Sequence, residues 1–235
     1  MFGYYDVPLS IAQDGISLSV QQEGENFVYR RECRGESAEK FLLAVPGKIL
    51  LNPVEPVNKP KSLTSYLLIE FEKTIQIEPK GTKKIFLTFP VEIAVYVSAN
   101  EEFEVVDAFT LVRQKFTLYG DPINGMICKY WKSAIYTTMP SLNHIQAGIL
   151  ELTVANTTTG WIELTKAVFN AYGMKIYYDG EKVSMRAYMK LKSAQTAEAE
   201  FIDEPLAEGM AKSLEIYTER KLSVNKKKFI MEFGL

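Results

Sequence analysis

Between Ile85 and Val97 every odd-numbered residue is apolar: Ile85, Leu87, Phe89, Val91, Ile93, Val95 and Val97. The even positions mix Lys84, Thr88, Glu92 and Tyr96 with Phe86, Pro90 and Ala94. A period of two held for this long marks an extended strand with one face in a core, because successive strand side chains point to opposite faces. A helix would scatter the same side chains around its circumference. Pro90 refines the reading, since it has no amide hydrogen to donate to a ladder. The strand is expected to bend or bulge there, to pass from one sheet to another, or to run along an edge. Sheet-switching of this kind occurs at the corners of β-sandwiches.

The rest of the chain carries similar short runs separated by turn residues. Ile16, Leu18 and Val20 alternate after Asp14-Gly15, and Gln22 to Asn26 reads as the next turn. Phe41 to Val45 and Ile49 to Leu51 flank Pro46-Gly47, and the prolines at 53, 56 and 60 predict a stiff irregular connection over 52–61. Phe116 to Tyr119, a turn over 120–125 and a run from Met126 form a hairpin-like unit. Asp179-Gly180 predicts a two-residue type I′ hairpin loop, with Tyr178 facing Glu181, Ile176 facing Val183 and Met174 facing Met185. Its second arm would bury Val183, Met185, Ala187, Met189 and Leu191. In the tail, a short helix or turn near 204–211 and a closing hairpin of 214–216 with 229–233 are expected. Many short strands at roughly 8–12-residue spacing give the fold class: mainly β, two tandem antiparallel β-sandwich (immunoglobulin-like) lobes with little helix. The lobes are placed at residues 1–112 and 113–235.

With 235 residues, 47% of them hydrophobic, the chain can bury a substantial core. Its net charge of −2 gives no general attraction for phosphate backbones or anionic membranes, so a nucleic-acid partner is disfavoured. No window approaches 18 uninterrupted apolar residues, so no membrane span is expected. The N-terminus lacks a basic segment followed by an apolar run, and Cys33 and Cys128 lie far apart. Both features lead to the expectation of a cytoplasmic protein with reduced, buried thiols.

A single histidine, His144, removes zinc sites and facial triads that need two. There is no Gly-x-Ser-x-Gly elbow, P-loop or GxGxxG. The acidic run Glu101, Glu102, Glu104 and Asp107 lacks the spacing of a calcium loop. No catalytic residue, metal or cofactor is therefore expected. The candidate binding set is the outer face of the Asp179-Gly180 hairpin: Lys175, Tyr177, Lys182, Arg186, Tyr188 and Lys190. Cations interleaved with rings can meet phosphates while the rings stack bases, although Glu198 and Glu200 on the next strand can neutralise them. Tyr130, Trp131, Tyr136 and Trp161 form a second candidate, an aromatic platform for a sugar or a partner protein. The reading favoured is a non-catalytic binding or interaction module acting through an exposed sheet edge or an inter-lobe groove. Strand addition at such an edge would make a homodimer easy. The alternatives are a carbohydrate-active or other hydrolase using dispersed carboxylates, and a single-stranded nucleic-acid binder.

Phe2-Gly3-Tyr4-Tyr5, the run Ile77-Glu78-Pro79-Lys80-Gly81 into the Pro90 strand, and Tyr119-Gly120-Asp121-Pro122 through Gly125 to Tyr130 resemble an archaeal domain family of unknown function. The resemblance spans most of the chain. It implies an archaeal cytosolic origin, and no activity or catalytic residues.

Overall fold

The computed structural model describes residues 1–43, 47–59, 63–99, 102–216 and 228–235. They form four sheets and one short 3-10 turn, Ala171–Gly173. Sheet A runs β1 (Gly3–Tyr5), β6 (Ile49–Val54), β9 (Glu92–Ala99), β10 (Glu102–Phe109). Sheet B is the meander β2 (Leu9–Gln13), β3 (Ile16–Glu23), β4 (Asn26–Cys33), β5 (Glu36–Leu42). Sheet C runs β11 (Phe116–Tyr119), β12 (Met126–Ser133), β7 (Tyr66–Ile77), β14 (Ile162–Asn170). Sheet D has β8 (Thr82–Pro90) at one edge, then β13 (Ala147–Asn156) and β16 (Val183–Leu191). Beyond β16 lie β15 (Tyr177–Tyr178) with β18 (Ala211–Lys212), and β17 (Ala197–Ile202) with β19 (Lys228–Met231).

The long alternating stretch does what its proline foretold. It runs in sheet D as far as Pro90, breaks at Val91, and enters sheet A at Glu92. All seven odd-numbered apolar residues are buried in one core that extends from Leu9 to Leu235. The chain is mainly β and mostly antiparallel, with two exceptions: β12 pairs parallel to β7, and β13 parallel to β16. Parallel neighbours need a long crossover, which other strands provide here. The pairing also interleaves the two halves of the sequence. Strands β7 and β8 precede residue 112, yet their ladder partners β12, β13 and β14 follow it.

Sheets A and B are tied by Tyr29, whose hydroxyl donates to Asp107 at 2.9 Å. Sheets C and D are tied by Trp131, whose Nε1 donates to Thr88 Oγ1 at 2.9 Å. Sheet B is a meander because its turns suit the strand twist: Asp14-Gly15 and Arg34-Gly35 both have positive φ at both positions, the type I′ pattern.

Several local expectations are corrected. The Asp179-Gly180 loop is four residues long, with Tyr178 opposite Val183 and Tyr177 opposite Ser184. Neither central residue takes positive φ. Asp179 Oδ1 instead accepts the amides of Glu181 and Lys182, both at 2.7 Å, so the side chain builds the turn that a type I′ backbone would have made. The slip is by two residues, so the same face stays inward, and Val183, Met185, Ala187, Met189 and Leu191 are all buried. Pro53 lies inside β6, opposite Ile93, and not in an irregular connection. Residues 214–215 form no strand, and β19 pairs with β17. The links of two expected turns, 44–46 and 217–227, lie outside the described residues, as do 60–62 and Glu101.

Candidate functional site

The six residues of the candidate basic and aromatic face are distributed over the hairpin and largely engaged. Lys175 pairs with Glu215 at 2.5 Å. Arg186 spans two carboxylates, Glu151 at 2.9 Å and Glu204 at 2.7 Å. Tyr177 is buried and donates to Asp203 at 2.7 Å, and burial with that carboxylate pushes its hydroxyl up to about 12. Tyr188 and Lys190 sit opposite Glu200 and Glu198 across the β16–β17 ladder. Lys182 lies apart from them and lines a cavity of about 500 Å³ with His144 and Met139. The face therefore carries matched charges at most of its cations.

The aromatic set is likewise split. Trp131 points at sheet D, whereas Trp161 is 65% exposed just before Ile162, eight residues further along β7. Asp107 of the acidic run is buried beside Arg31. Among the described residues no group of three or more His, Cys, Asp or Glu is placed to hold a metal ion. No helix among them is long and apolar enough to cross a membrane. Cys128 is buried, and burial pushes its thiol up to about 12, far from the thiolate range of reactive cysteines.

The surface that stands out is the β11 edge of sheet C, which pairs with no further strand among the described residues. Tyr130 N–H donates to Lys115 carbonyl at 2.8 Å, which fixes the ladder phase of β11 against β12. Antiparallel alternation then turns Thr117 and Tyr119 toward β12, and directs the amides and carbonyls of Phe116 and Leu118 outward. The side chains of Phe116 and Leu118 lie on the same face as Ile127 and Lys129 of β12. This face belongs to the interior: Lys129, Trp131 and Ser133 use it to reach Glu92, Thr88 and the Thr88 amide. At β11 the cover ends. Phe116, Leu118 and Ile127 remain 37%, 44% and 49% exposed, an apolar overhang.

The edge is rigidly presented. Asp121 Oδ1 accepts the Ile123 and Asn124 amides at 2.8 and 2.9 Å, which holds its carboxyl below the usual range and keeps a negative charge at the turn. A Cβ on Gly125 would fall 2.4 Å from the Asp121 carbonyl, and one on Gly120, where φ is +107°, would fall 2.8 Å from the Phe233 ring. Only glycine closes that turn. Below the overhang Lys129 Nζ meets Glu92 Oε1 at 2.5 Å, and Glu92 also accepts the Asn58 amide at 2.9 Å. Burial pushes Glu92 up and Lys129 down; in each the loss of water outweighs the pull of the partner.

Three other edges carry devices that discourage pairing. Strand β10 has a bulge between Val105 and Asp107, and Lys40 Nζ donates to the Val106 carbonyl. Strand β8 shows Lys83 and Lys84 and is bridged by Tyr136 at Phe86. Strand β14 is bulged between Leu164 and Lys166. Bulges and lysines are common guards against edge-to-edge association. Strand β11 has neither.

Residues 1–233 match the family described as protein of unknown function, DUF432. The chain belongs to that family. No curated protein matches it, and no solved structure does. The motifs at Phe2 to Tyr5, Ile77 to Gly81 and Tyr119 to Tyr130 fall within the matched part of this DUF432 member. The last of them contains the turn that sets the β11 edge. Sequence reasoning did not single out Phe116, Leu118 or Ile127. The only signal was a short apolar strand with no outward lysine.

Proposed function

We propose that this DUF432 member is a non-catalytic interaction module that assembles by strand addition at β11, with a second copy of the chain as the occupant. The uncovered inner face at Phe116, Leu118 and Ile127, beside outward backbone groups, is the observation that carries the reading. An antiparallel copy centred on Thr117 pairs Phe116 with Leu118 of its partner and, by the two-fold axis, the reverse. Apolar side chains from both copies then share one face. Lys115 and Asp121 flank the strand at opposite ends, so each copy brings a cation toward the other's carboxylate.

The architecture behind this reading is two sandwich lobes, sheets A and B forming one and sheets C and D the other, crossed by the chain at Pro90. The unpaired buried thiols of Cys33 and Cys128 fit a reducing compartment. Catalysis by dispersed carboxylates has less support, because the buried Glu92, Asp107 and Glu151 each face a cation. Sedimentation velocity tests the proposal. The wild-type chain is expected as a dimer, and Phe116→Lys with Leu118→Lys as a monomer of unchanged circular dichroism. A wild-type monomer at high micromolar concentration contradicts it.

A further inference from the structure

Arg31 is enclosed on β4, with 3% of its side chain exposed. Its Nε donates to Asp107 Oδ2 at 2.7 Å, its Nη1 reaches the Glu36 carbonyl only at 3.4 Å, and its guanidinium carbon lies 4.9 Å from the Phe109 ring centre. Nη2 donates to no described residue. A guanidinium has five N–H donors, so these contacts leave Nη donors available to a ligand in the cavity that Arg31 lines. Asp107 is shared with other donors: Oδ2 also accepts the Tyr29 hydroxyl and Oδ1 accepts the Ala108 amide, both at 2.9 Å.

The pair is put together by the bulge in β10. Up to Val105, opposite Tyr96, odd-numbered residues of β10 face the smaller cluster around Tyr96; after the extra residue Val106, Asp107 lies opposite Val95 and faces the main core. Without the bulge a valine would stand where the carboxylate now meets Arg31. Bulges of this kind re-aim side chains beside functional sites.

Arg31 and Asp107 line a cavity of about 630 Å³ between the edges of β5 and β10, within the range of small-molecule sites. Lys40, Lys59 and Arg31 face it against Glu36 and Asp107, so positive charge is in excess. Ala38, Val105 and Ala108 supply apolar wall, and Ser37 and Asn58 polar groups. We infer that this cleft is an oxyanion-binding site, in which the carboxylate or phosphate head of a small organic molecule docks on the Nη donors of Arg31, with Lys59 as the second cation. The guanidinium fork suits planar two-point recognition of such a head. The site is separate from β11.

Isothermal titration of the intact chain with inorganic phosphate and with malonate, at constant ionic strength set by chloride, tests the inference. One-to-one saturable binding of either probe, with the Arg31 Nε–H resonance moving on titration, is expected. Lys59→Gln should weaken it several-fold, and Arg31→Lys on the order of tenfold. A response to phosphate alone assigns a phosphate head, and a response to malonate alone a carboxylate. If Arg31→Lys fails to fold, the Lys59→Gln titration and the wild-type Arg31 resonance decide. Neither probe saturating, or binding that ignores Lys59→Gln and leaves the Arg31 resonance still, overturns it.

Discussion

Lys129 on β12 and Glu92 on β9 form an ion pair shut off from water, and through it sheet C is bolted to sheet A. Phe116 lies directly opposite Lys129 in the ladder, so this buried contact also backs the exposed edge. Removing one charge of such a pair strands the other. Lys129→Met is expected to cost about 3–5 kcal/mol in urea unfolding. Replacing both, with Glu92→Leu, should recover most of that loss. A single variant as stable as the wild type would show the pair to be dispensable.

Asn52 clips the chain that leaves β18 across sheet A. Its Nδ2 donates to Ser213 Oγ at 2.7 Å and to the Leu214 carbonyl at 2.9 Å, and its Oδ1 accepts the Leu214 amide at 3.2 Å. Asn52→Ala should destabilise by about 1–3 kcal/mol, with faster hydrogen exchange at Leu214. Unchanged exchange there would remove the clip from the account.

His144 gives a pH dependence of known sign. Burial is the main cause that holds its imidazole below the ordinary value, the N-terminal ammonium adds to it, and Asp14, Asp179 and Glu181 oppose it. Its Nε2 is buried without a hydrogen-bond partner among the described residues. The folded chain thus takes up this proton later than the unfolded chain as pH falls. The stability is full above about pH 6.5 and drains away as pH drops through the folded value. His144→Phe, which keeps an aromatic ring beside Phe2, should flatten urea midpoints between about pH 7.5 and pH 5.5. An equally steep fall in that variant would assign the dependence elsewhere.

Both thiols should be inert in the native protein. Cys33 and Cys128 are buried, and burial raises both. Maleimide labelling at neutral pH is expected only on unfolding, with two equivalents taken up in denaturant. Rapid native labelling of either would contradict the placement.

What the residues announced and what they hid divides along one physical line. Alternation and turn chemistry act within a few residues, so the Pro90 crossing and the buried face from Val183 to Leu191 were legible. The Asp179 loop was misread because a side-chain oxygen replaced the backbone geometry that Asp-Gly suggests. The bulge at Val106 leaves no mark in composition, so Asp107 read only as one member of an acidic run. Glu92 meets Lys129 across 37 positions, and Asn52 meets Ser213 across 161. Such contacts exist only once the sheets have packed. The free edge at β11 depends in turn on where neighbouring sheets stop covering it.

The central claim is that the outward amides of β11 find a partner in a second copy, and residue-resolved hydrogen exchange as a function of protein concentration tests it most directly. Thr117 and Tyr119, bonded to β12, should be protected at every concentration. Phe116 and Leu118 should be open in dilute solution and become protected as concentration rises, in step with dimer formation. Phe116 and Leu118 amides that exchange freely at concentrations where the protein is dimeric would contradict assembly through this strand.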